Sequence, residues 1–223
     1  MMPQQPGMDF AILADRLQRL VRLDTSVFQE VRQDNSATIP AVTVAIASTV
    51  LAGIGGWLWW ALQDYGNSGE VFLKSVILGS IFSVALWIVW LLVAWVILTQ
   101  LFHDDADWQQ MLRTMGMAAA PLALSVAMFI PGIDFGVGLA SVALFFGLTN
   151  IAIQSVTNAN PARVLVANLA GFAVWAIVLG LLVTAENPYA PGIFLFDAPS
   201  EALSDLADYA DSLDLDFSDF SGE

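Results

Sequence analysis

The sequence has no cysteine, a single histidine and few charged residues, and each shortage excludes a kind of chemistry. Without cysteine there are no disulfides and no thiolates, and one histidine cannot build a histidine-rich metal site. Only 7 residues are Lys or Arg. This makes nucleic acid an unsuitable partner, because its binding relies on basic side chains that neutralise phosphates.

The residues that are present are mostly apolar. They make up 57% of the chain, the mean hydropathy is +0.70, and several runs approach the roughly 20 apolar residues that cross a bilayer. The sequence therefore predicts an all-α, polytopic integral membrane protein with five transmembrane helices. The expected spans are 39–62, a crossing from residue 81 within the apolar run 71–102, the central segment within 113–131, 135–155 and 164–185.

The apolar run 71–102 is longer than one untilted crossing. Its start holds Lys74, and a lysine near a helix end can extend its charge to water. We therefore expect this start to lie at the interface and the chain to turn inward near Gly79.

The distribution of basic residues predicts the orientation. With five spans, only Lys74 falls opposite to the amino terminus, and cytoplasmic segments carry the excess of Lys and Arg. We expect a cytoplasmic amino terminus, a carboxyl terminus outside and a prokaryotic plasma (inner) membrane. Residues 1–35 would form a cytoplasmic leader with amphipathic helices, 36–186 the five-helix domain and 187–223 an acidic outer-face tail. The basic residues on the amino-terminal side are Arg16, Arg19, Arg22, Arg32, Arg113 and Arg163.

An amphipathic helix is predicted near the amino terminus. Phe10, Leu13, Leu17 and Leu20 recur at spacings of three and four, while charged residues fill the other face. This helix would either lie among lipid headgroups or pack on the cytoplasmic ends of the spans.

Small residues four apart predict where helix backbones approach each other closely. Such faces occur in the first span and in the central segment, where Pro121 is expected in the first turn of the helix. The small faces are Ala41, Ala45, Thr49 and Gly53 in the first span, and Gly116 with Ala120 and Ala119 with Ala123 and Ala127 in the central segment.

Polar side chains at membrane depth mark the fourth and fifth spans. Asn150, Gln154 and Asn158 recur every four residues, and Asn168 lies beyond the following loop. Such groups are costly in lipid unless they are paired or hydrated. They indicate either interhelical hydrogen bonds or a water-filled cavity.

One charged loop, His103 to Asp107, resembles a metal site because imidazole and carboxylates bind divalent ions. A solvated loop also gathers charges, and Asp107 can cap the helix that follows. We expect no metal, no cofactor and no enzymatic activity. These residue types cannot assemble a nucleophile, a base and an orienting group at membrane depth.

The acidic tail carries apolar residues at helical spacing, which predicts a weak amphipathic helix that a partner surface would stabilise. It is either a docking segment, for a protein on the outer face or a second copy of the chain, or a solubilising acidic end. The apolar residues are Leu203, Leu206, Leu213, Phe217 and Phe220.

Several short motifs occur in a recognisable order. They are Leu112-Arg113, the run from Gly116 to Pro121, Ile130-Pro131-Gly132, and Pro161-Ala162-Arg163 before the last span. Together they resemble the Ypt/Rab-interacting membrane protein (Yip domain) family in its prokaryotic form, over roughly Leu23 to Thr184. The resemblance implies five membrane helices with a cytoplasmic amino terminus. The Asp-Leu-x-Gly-Pro signature of eukaryotic members is absent, so Rab binding does not carry over. The motif residues here are Arg113, Gly116, Pro121, Pro131 and Arg163.

Three functions agree with these features. The first is a non-catalytic membrane scaffold or organiser, in contact with membrane lipids, that binds other membrane proteins through its helices and tail. The second is an accessory subunit of a larger membrane complex. The third is a small transporter or channel, suggested by the polar face of the fourth span. The predicted spans contain no acidic residue and no histidine, and the sequence has no obvious inverted repeat. Both features argue against transport.

Overall fold

Five long apolar helices dominate the structure, a computed structural model that describes residues 9–63, 67–184 and 187–196. Each is long and apolar enough to cross a membrane, which confirms the all-α class and the five predicted spans. We call them the first to fifth spans. They are Asn35–Leu62, Ser68–Leu101, Trp108–Phe129, Asp134–Val156 and Pro161–Leu181.

Two short helices precede the first span. In α1 (Phe10–Val21), the Asp9 carboxylate caps the helix by accepting hydrogen bonds from the backbone N–H groups of Ala11 and Ile12. α2 (Val27–Gln33) follows, and its apolar residues are fully buried against the first, third and fourth spans.

The apolar face of α1 is divided between the bundle and the surface. Leu20 is buried, and Leu13 and Leu17 are half-buried against the same cluster. Phe10, at the other end of α1, is 73% exposed. Two placements were predicted for this helix. From Leu13 to its end, the helix packs on the ends of the spans.

The second span is a single helical run of 34 residues. It contains two π-helical segments, Phe72–Gly79 and Ile97–Leu101. The predicted inward turn at Gly79 is wrong, because its dihedral angles are helical (φ −60°, ψ −41°). Near the start of this helix, Nζ of Lys74 lies 2.5 Å from the Glu70 carboxylate and 2.7 Å from Oδ1 of Asn187.

The third span changes its helix type halfway. Its first part is an α-helix, Trp108–Ala118, and its second part is a ten-residue 3-10 helix, Ala120–Phe129. Pro121 lies at this change and not in the first turn, so that prediction is wrong. The proline ring clashes with the carbonyl four residues earlier and lacks an N–H, which stops the α-helix at this point.

The first span packs mainly against the third, the second against the fifth, and the fourth forms a hairpin with the third. At the end opposite to α1, two short antiparallel strands, β1 (Val183–Thr184) and β2 (Asn187–Pro188), follow the fifth span. A 3-10 helix, Gly192–Leu195, then inserts between the ends of the spans. Residues 187–196 thus complete the bundle, although the sequence places them in the acidic tail.

Candidate functional site

The amino-terminal face is held together by arginine and carboxylate side chains. Arg19 of α1 lies 2.9 Å from Asp24, 2.6 Å from Glu30 and 2.8 Å from the Ser26 hydroxyl. These contacts raise the pKa of Arg19 further above its ordinary value. Hydrogen bonds from Ser26 and Arg19 lower the pKa of Asp24 to about 2. The α1–α2 turn is therefore fixed by charge as well as by apolar packing.

A second ion pair links α1 to the start of the first span. Arg16 lies 2.8 Å from the carboxylate of Asp34. Partial burial of Asp34 opposes its ionisation, but hydrogen bonds from Ser36 and Arg16 outweigh this effect and lower the pKa of Asp34.

The motif residue Arg113 connects the third span to the same region. It is buried, with 3% of its surface exposed, and its Nη1 donates a hydrogen bond to Oδ1 of Asn35. Its Nε has no hydrogen-bond partner among the described residues. Sequence reasoning did not identify Asn35, because an asparagine before a helix carries no signal for a partner 78 residues away.

Two glycines set the spacing between the first and third spans. A Cβ built on Gly116 would lie 2.7 Å from the carbonyl oxygen of Ala41, and one built on Gly55 would lie 1.9 Å from that of Ser125. Gly116 and Ala41, both predicted small residues, thus face each other. Gly55 was not singled out, although the Gly55-Gly56 pair was a signal for close approach.

The 3-10 half of the third span rearranges the other small face. A 3-10 helix has about three residues per turn, so residues three apart share a face. Accordingly, Leu122, Ser125 and Met128 are buried, whereas Ala123 and Ala127 are not. The predicted face of Ala119, Ala123 and Ala127 is therefore wrong, because the four-residue spacing assumed an α-helix.

Ala123 and Ala127 instead line a cavity of about 500 Å³ at the side of the bundle, together with Pro121. We call it the lateral groove. It lies between the end of α1 and the first, third and fourth spans, and its lining is almost entirely apolar.

Arg163, in the first turn of the fifth span, contacts the loop between the second and third spans on the amino-terminal face. Its Nη1 lies 3.3 Å from Asp104 Oδ2, and its guanidinium lies 5.5 Å from the centre of the Phe102 ring. Asp107 caps the third span by accepting from the N–H of Gln110. The part of the chain that the structure describes contains no cluster of metal-ligating side chains.

Of the four predicted polar residues, Asn168 connects helices. It is fully buried, its Oδ1 accepts from the indole N–H of Trp90 at 3.1 Å, and its Nδ2 donates to the carbonyl of Phe146 at 3.3 Å. It therefore ties the fifth span to the second and fourth. Next to it, a Cβ built on Gly171 would lie 2.1 Å from Cδ1 of Trp90.

The other predicted polar residues do not bridge helices in the same way. Gln154 donates to the carbonyl of Ala159 in the following loop, and Asn158 is exposed. Oδ1 of Asn150 and Oε1 of Gln154 are buried with no hydrogen-bond partner among the described residues. The structure thus does not bring the four polar residues into one site.

The interior of the bundle is nearly filled. A cavity of about 10 Å³ lies among all five spans and residues 191–194, next to Trp175 and Ser125. This volume is at the lower limit for one water molecule. A cluster of aromatic rings occupies the neighbouring space, with centroid distances of 5.0 to 5.9 Å among Trp90, Phe145, Phe172 and Trp175.

One remaining predicted site residue, Pro131, lies apart from this core. Pro131 is exposed in the turn between the third and fourth spans, where Gly132 has a φ of +86°. The tail residues Leu203, Leu206, Leu213, Phe217 and Phe220 lie outside the described residues.

Fold and composition define an integral membrane protein built from five helical spans with two helices on its amino-terminal face. The sequence matches the family described as the Yip1 domain over residues 22–185. The chain therefore belongs to the Yip family, which its motifs predicted. Neither a curated protein nor a solved structure matches it.

Proposed function

We propose that this protein is a non-catalytic membrane scaffold that binds other membrane proteins through surfaces held in fixed positions. One observation carries the proposal, namely the closed and tightly packed interior of the bundle. Close backbone contacts, such as that of Gly55 with Ser125, leave the spans little room to separate. A rigid bundle of this kind suits presentation of a surface better than movement of a solute.

The packing also weighs against a transporter or channel. Asn168 uses its polar atoms to bond other spans, and Asn158 lies at the surface. The cavity of about 10 Å³ beside Trp175 is too small for a solute larger than water. A transport function would require an opening of the bundle that disrupts these contacts.

The proposal includes an orientation and a membrane. The amino terminus faces the cytoplasm and the carboxyl terminus faces outside, in a prokaryotic plasma membrane. Support comes from the six arginines on the amino-terminal side against Lys74 on the other. The contacts of Arg163 with Asp104 and of Arg113 with Asn35 agree with the side assigned to each loop.

The partner-binding segment in this proposal is the acidic tail. Burial of its apolar stripe on a partner, at about 25 cal/mol per Å², would offset much of the cost of ordering it. Its negative charge would direct it to a basic surface and make the association salt-sensitive. An accessory-subunit role would be the special case in which the partner is one complex of fixed stoichiometry.

The test compares the full chain with two variants, purified in mild detergent. One carries Leu206→Ser, Leu213→Ser and Phe217→Ser, and the other lacks residues 200–223. A matched control carries Leu215→Ser, which at helical spacing falls on the side opposite to the stripe. We expect both variants, and not the control, to lose co-purifying proteins or to decrease in oligomer size.

Two outcomes would contradict the proposal. If both variants keep every partner and the same size, the tail is only a solubilising end. If the full chain in proteoliposomes conducts ions or small solutes, the scaffold function is wrong and the transport function replaces it.

A further inference from the structure

The lateral groove has the volume and position of a ligand site open to the membrane. Its volume of about 500 Å³ falls within the roughly 300–1,000 Å³ typical of small-molecule sites. Val44 and Leu51 of the first span form one wall, about 10 Å long at 1.5 Å rise per residue. Leu124 of the third span and Leu144 of the fourth form the others.

The groove runs from the amino-terminal surface towards mid-membrane depth. Its upper end is formed by Leu20 and Val21 at the end of α1 and by Leu23 in the following turn. Its lower end reaches Val126 and Ala127 in the second half of the third span. A molecule with a polar end at the interface and a chain in the hydrocarbon would fit this direction.

The turn at the mouth of the groove holds a leucine in a costly conformation. The Leu23 N–H bonds the Leu20 carbonyl and the Asp24 N–H bonds the Arg19 carbonyl, which is the Schellman pattern that ends a helix. The residue at this left-handed position is usually glycine, but here it is leucine with φ +60°. The Cβ of a leucine makes this left-handed conformation unfavourable.

Burial within the protein does not compensate for the unfavourable backbone conformation of Leu23. Leu23 is 63% exposed, and Val21 beside it is 83% exposed. Both side chains line the groove although they belong to a turn rich in charges. They would lose this exposure if an apolar chain occupied the groove.

Arg22, between these two residues, is the arginine without a polar partner. Arg16, Arg19 and Arg163 pair with carboxylates, and Arg32 and Arg113 bond to oxygen acceptors. Among the residues that the structure describes, Arg22 forms no ion pair and no side-chain hydrogen bond, and it is exposed. A cation without a polar partner among the described residues thus lies between Val21 and Leu23 in sequence, the two residues that line the upper end of the groove.

We propose that the lateral groove binds an anionic glycerophospholipid of the leaflet on the amino-terminal side. One acyl chain lies between the first, third and fourth spans, and the phosphate lies near the guanidinium of Arg22. Leu23 and Val21 cover the upper part of the chain. This lipid would fix the α1–α2 turn against the bundle, and the site is independent of the scaffold function.

The protein's own tail is an unsuitable occupant. Phe196, the last described residue, contacts Trp59 at a centroid distance of 4.5 Å and Phe135 at 6.0 Å. Both partners lie at the end of the bundle opposite to α1. An acidic segment would have to cross the bilayer to reach the groove, which is costly.

The test uses the full chain in vesicles of phosphatidylcholine and phosphatidylglycerol. The probes are phosphatidylglycerol and, in a parallel sample, phosphatidylcholine, each with a photoreactive diazirine in one acyl chain, and mass spectrometry locates the labelled residues. We expect labelling of Leu124 and Leu144 to exceed severalfold that of Leu92 and Val174. These last two are exposed at comparable depth but lie outside the groove.

Two variants test the chain and the headgroup separately. Ala47→Trp should fill the groove and abolish the excess labelling, while Ala85→Trp, at an exposed alanine outside it, should not. Arg22→Gln should lower the preference for phosphatidylglycerol over phosphatidylcholine about fivefold, as one basic side chain at an anionic surface contributes about 1 kcal/mol. Arg22→Lys should restore it.

The results that overturn the proposal are specific. Uniform labelling of groove and control positions would show bulk lipid only. Cross-linking of groove residues to a second copy of the chain would make the groove a dimer interface. Equal labelling by both lipids in the intact chain would remove the role of Arg22. The wild-type labelling map keeps the proposal testable even if a variant fails to fold.

Discussion

The indole nitrogen of Trp90 lies 3.1 Å from Oδ1 of Asn168, and neither residue is exposed. The bond joins the second and fifth spans inside a cluster of aromatic rings, where no water can replace a lost partner. Asn168 also donates to the carbonyl of Phe146. A single amide thus satisfies groups on two other helices.

Asn168→Leu should destabilise the protein by about 1 kcal/mol, because measured bonds between membrane helices average about 0.6 and reach about 1.7 kcal/mol. The control is Asn158→Leu, at an exposed asparagine, which should be nearly neutral. Unfolding in detergent measures both. Trp90→Phe combined with Asn168→Leu should cost less than the sum of the single changes. Additive effects would show that the bond contributes nothing.

Gly55→Ala should destabilise the bundle by about 1–3 kcal/mol or more, the usual cost of overpacking. The new Cβ would lie 1.9 Å from the carbonyl oxygen of Ser125, so the first and third spans must separate. Gly147→Ala in the fourth span is the control, because open space surrounds that position. It should be neutral or stabilising by up to about 1 kcal/mol. Equal melting temperatures for the two variants would refute the close contact.

The orientation of the chain can be measured with reporters. A reporter after Glu223 should be outside, and one in the loop from His103 to Asp107 should be inside, because the arginines favour the cytoplasm. Since the chain has no cysteine, single introduced cysteines and an impermeant reagent provide an independent readout. Labelling of either site from the opposite side would exclude the proposed topology.

The α1–α2 turn should remain docked at neutral pH and loosen in acid. The pKa of Asp24 falls from 3.8 to about 2 in the folded protein. Its stabilising effect is therefore complete above about pH 4 and is lost as the pH falls towards 2. Spin labels at Gln18→Cys and Gln109→Cys, both exposed positions, should report a distance that broadens only in that window.

Two substitutions define the controls for the acid experiment. Asp24→Asn should broaden the same distance already at neutral pH, because it removes the negative charge that pairs with Arg19 at 2.9 Å. Asp105→Asn should not, since Asp105 forms no ion pair or hydrogen bond within the described part of the chain. Broadening that begins near neutral pH would show that another group controls the docking.

The sequence by itself determined the membrane class, the number of spans and the family. Long apolar runs and the order of the motifs around Gly116 and Pro121 are local features, so they can be seen without any contact between helices. The small residue Ala41 was also recognised as a place of close approach, and it lies against Gly116.

Only the tertiary structure decided how the helices continue and which polar groups meet. The spacing of Asn150, Gln154 and Asn158 assigned them one face, but which of them finds a partner depends on helices distant in sequence. The change to a 3-10 helix at Pro121 moved Ala123 and Ala127 from a helix contact to the lateral groove. Periodicity predicts faces for a helix of assumed type, whereas packing selects the type, and this difference explains the error at Ala123 and Ala127.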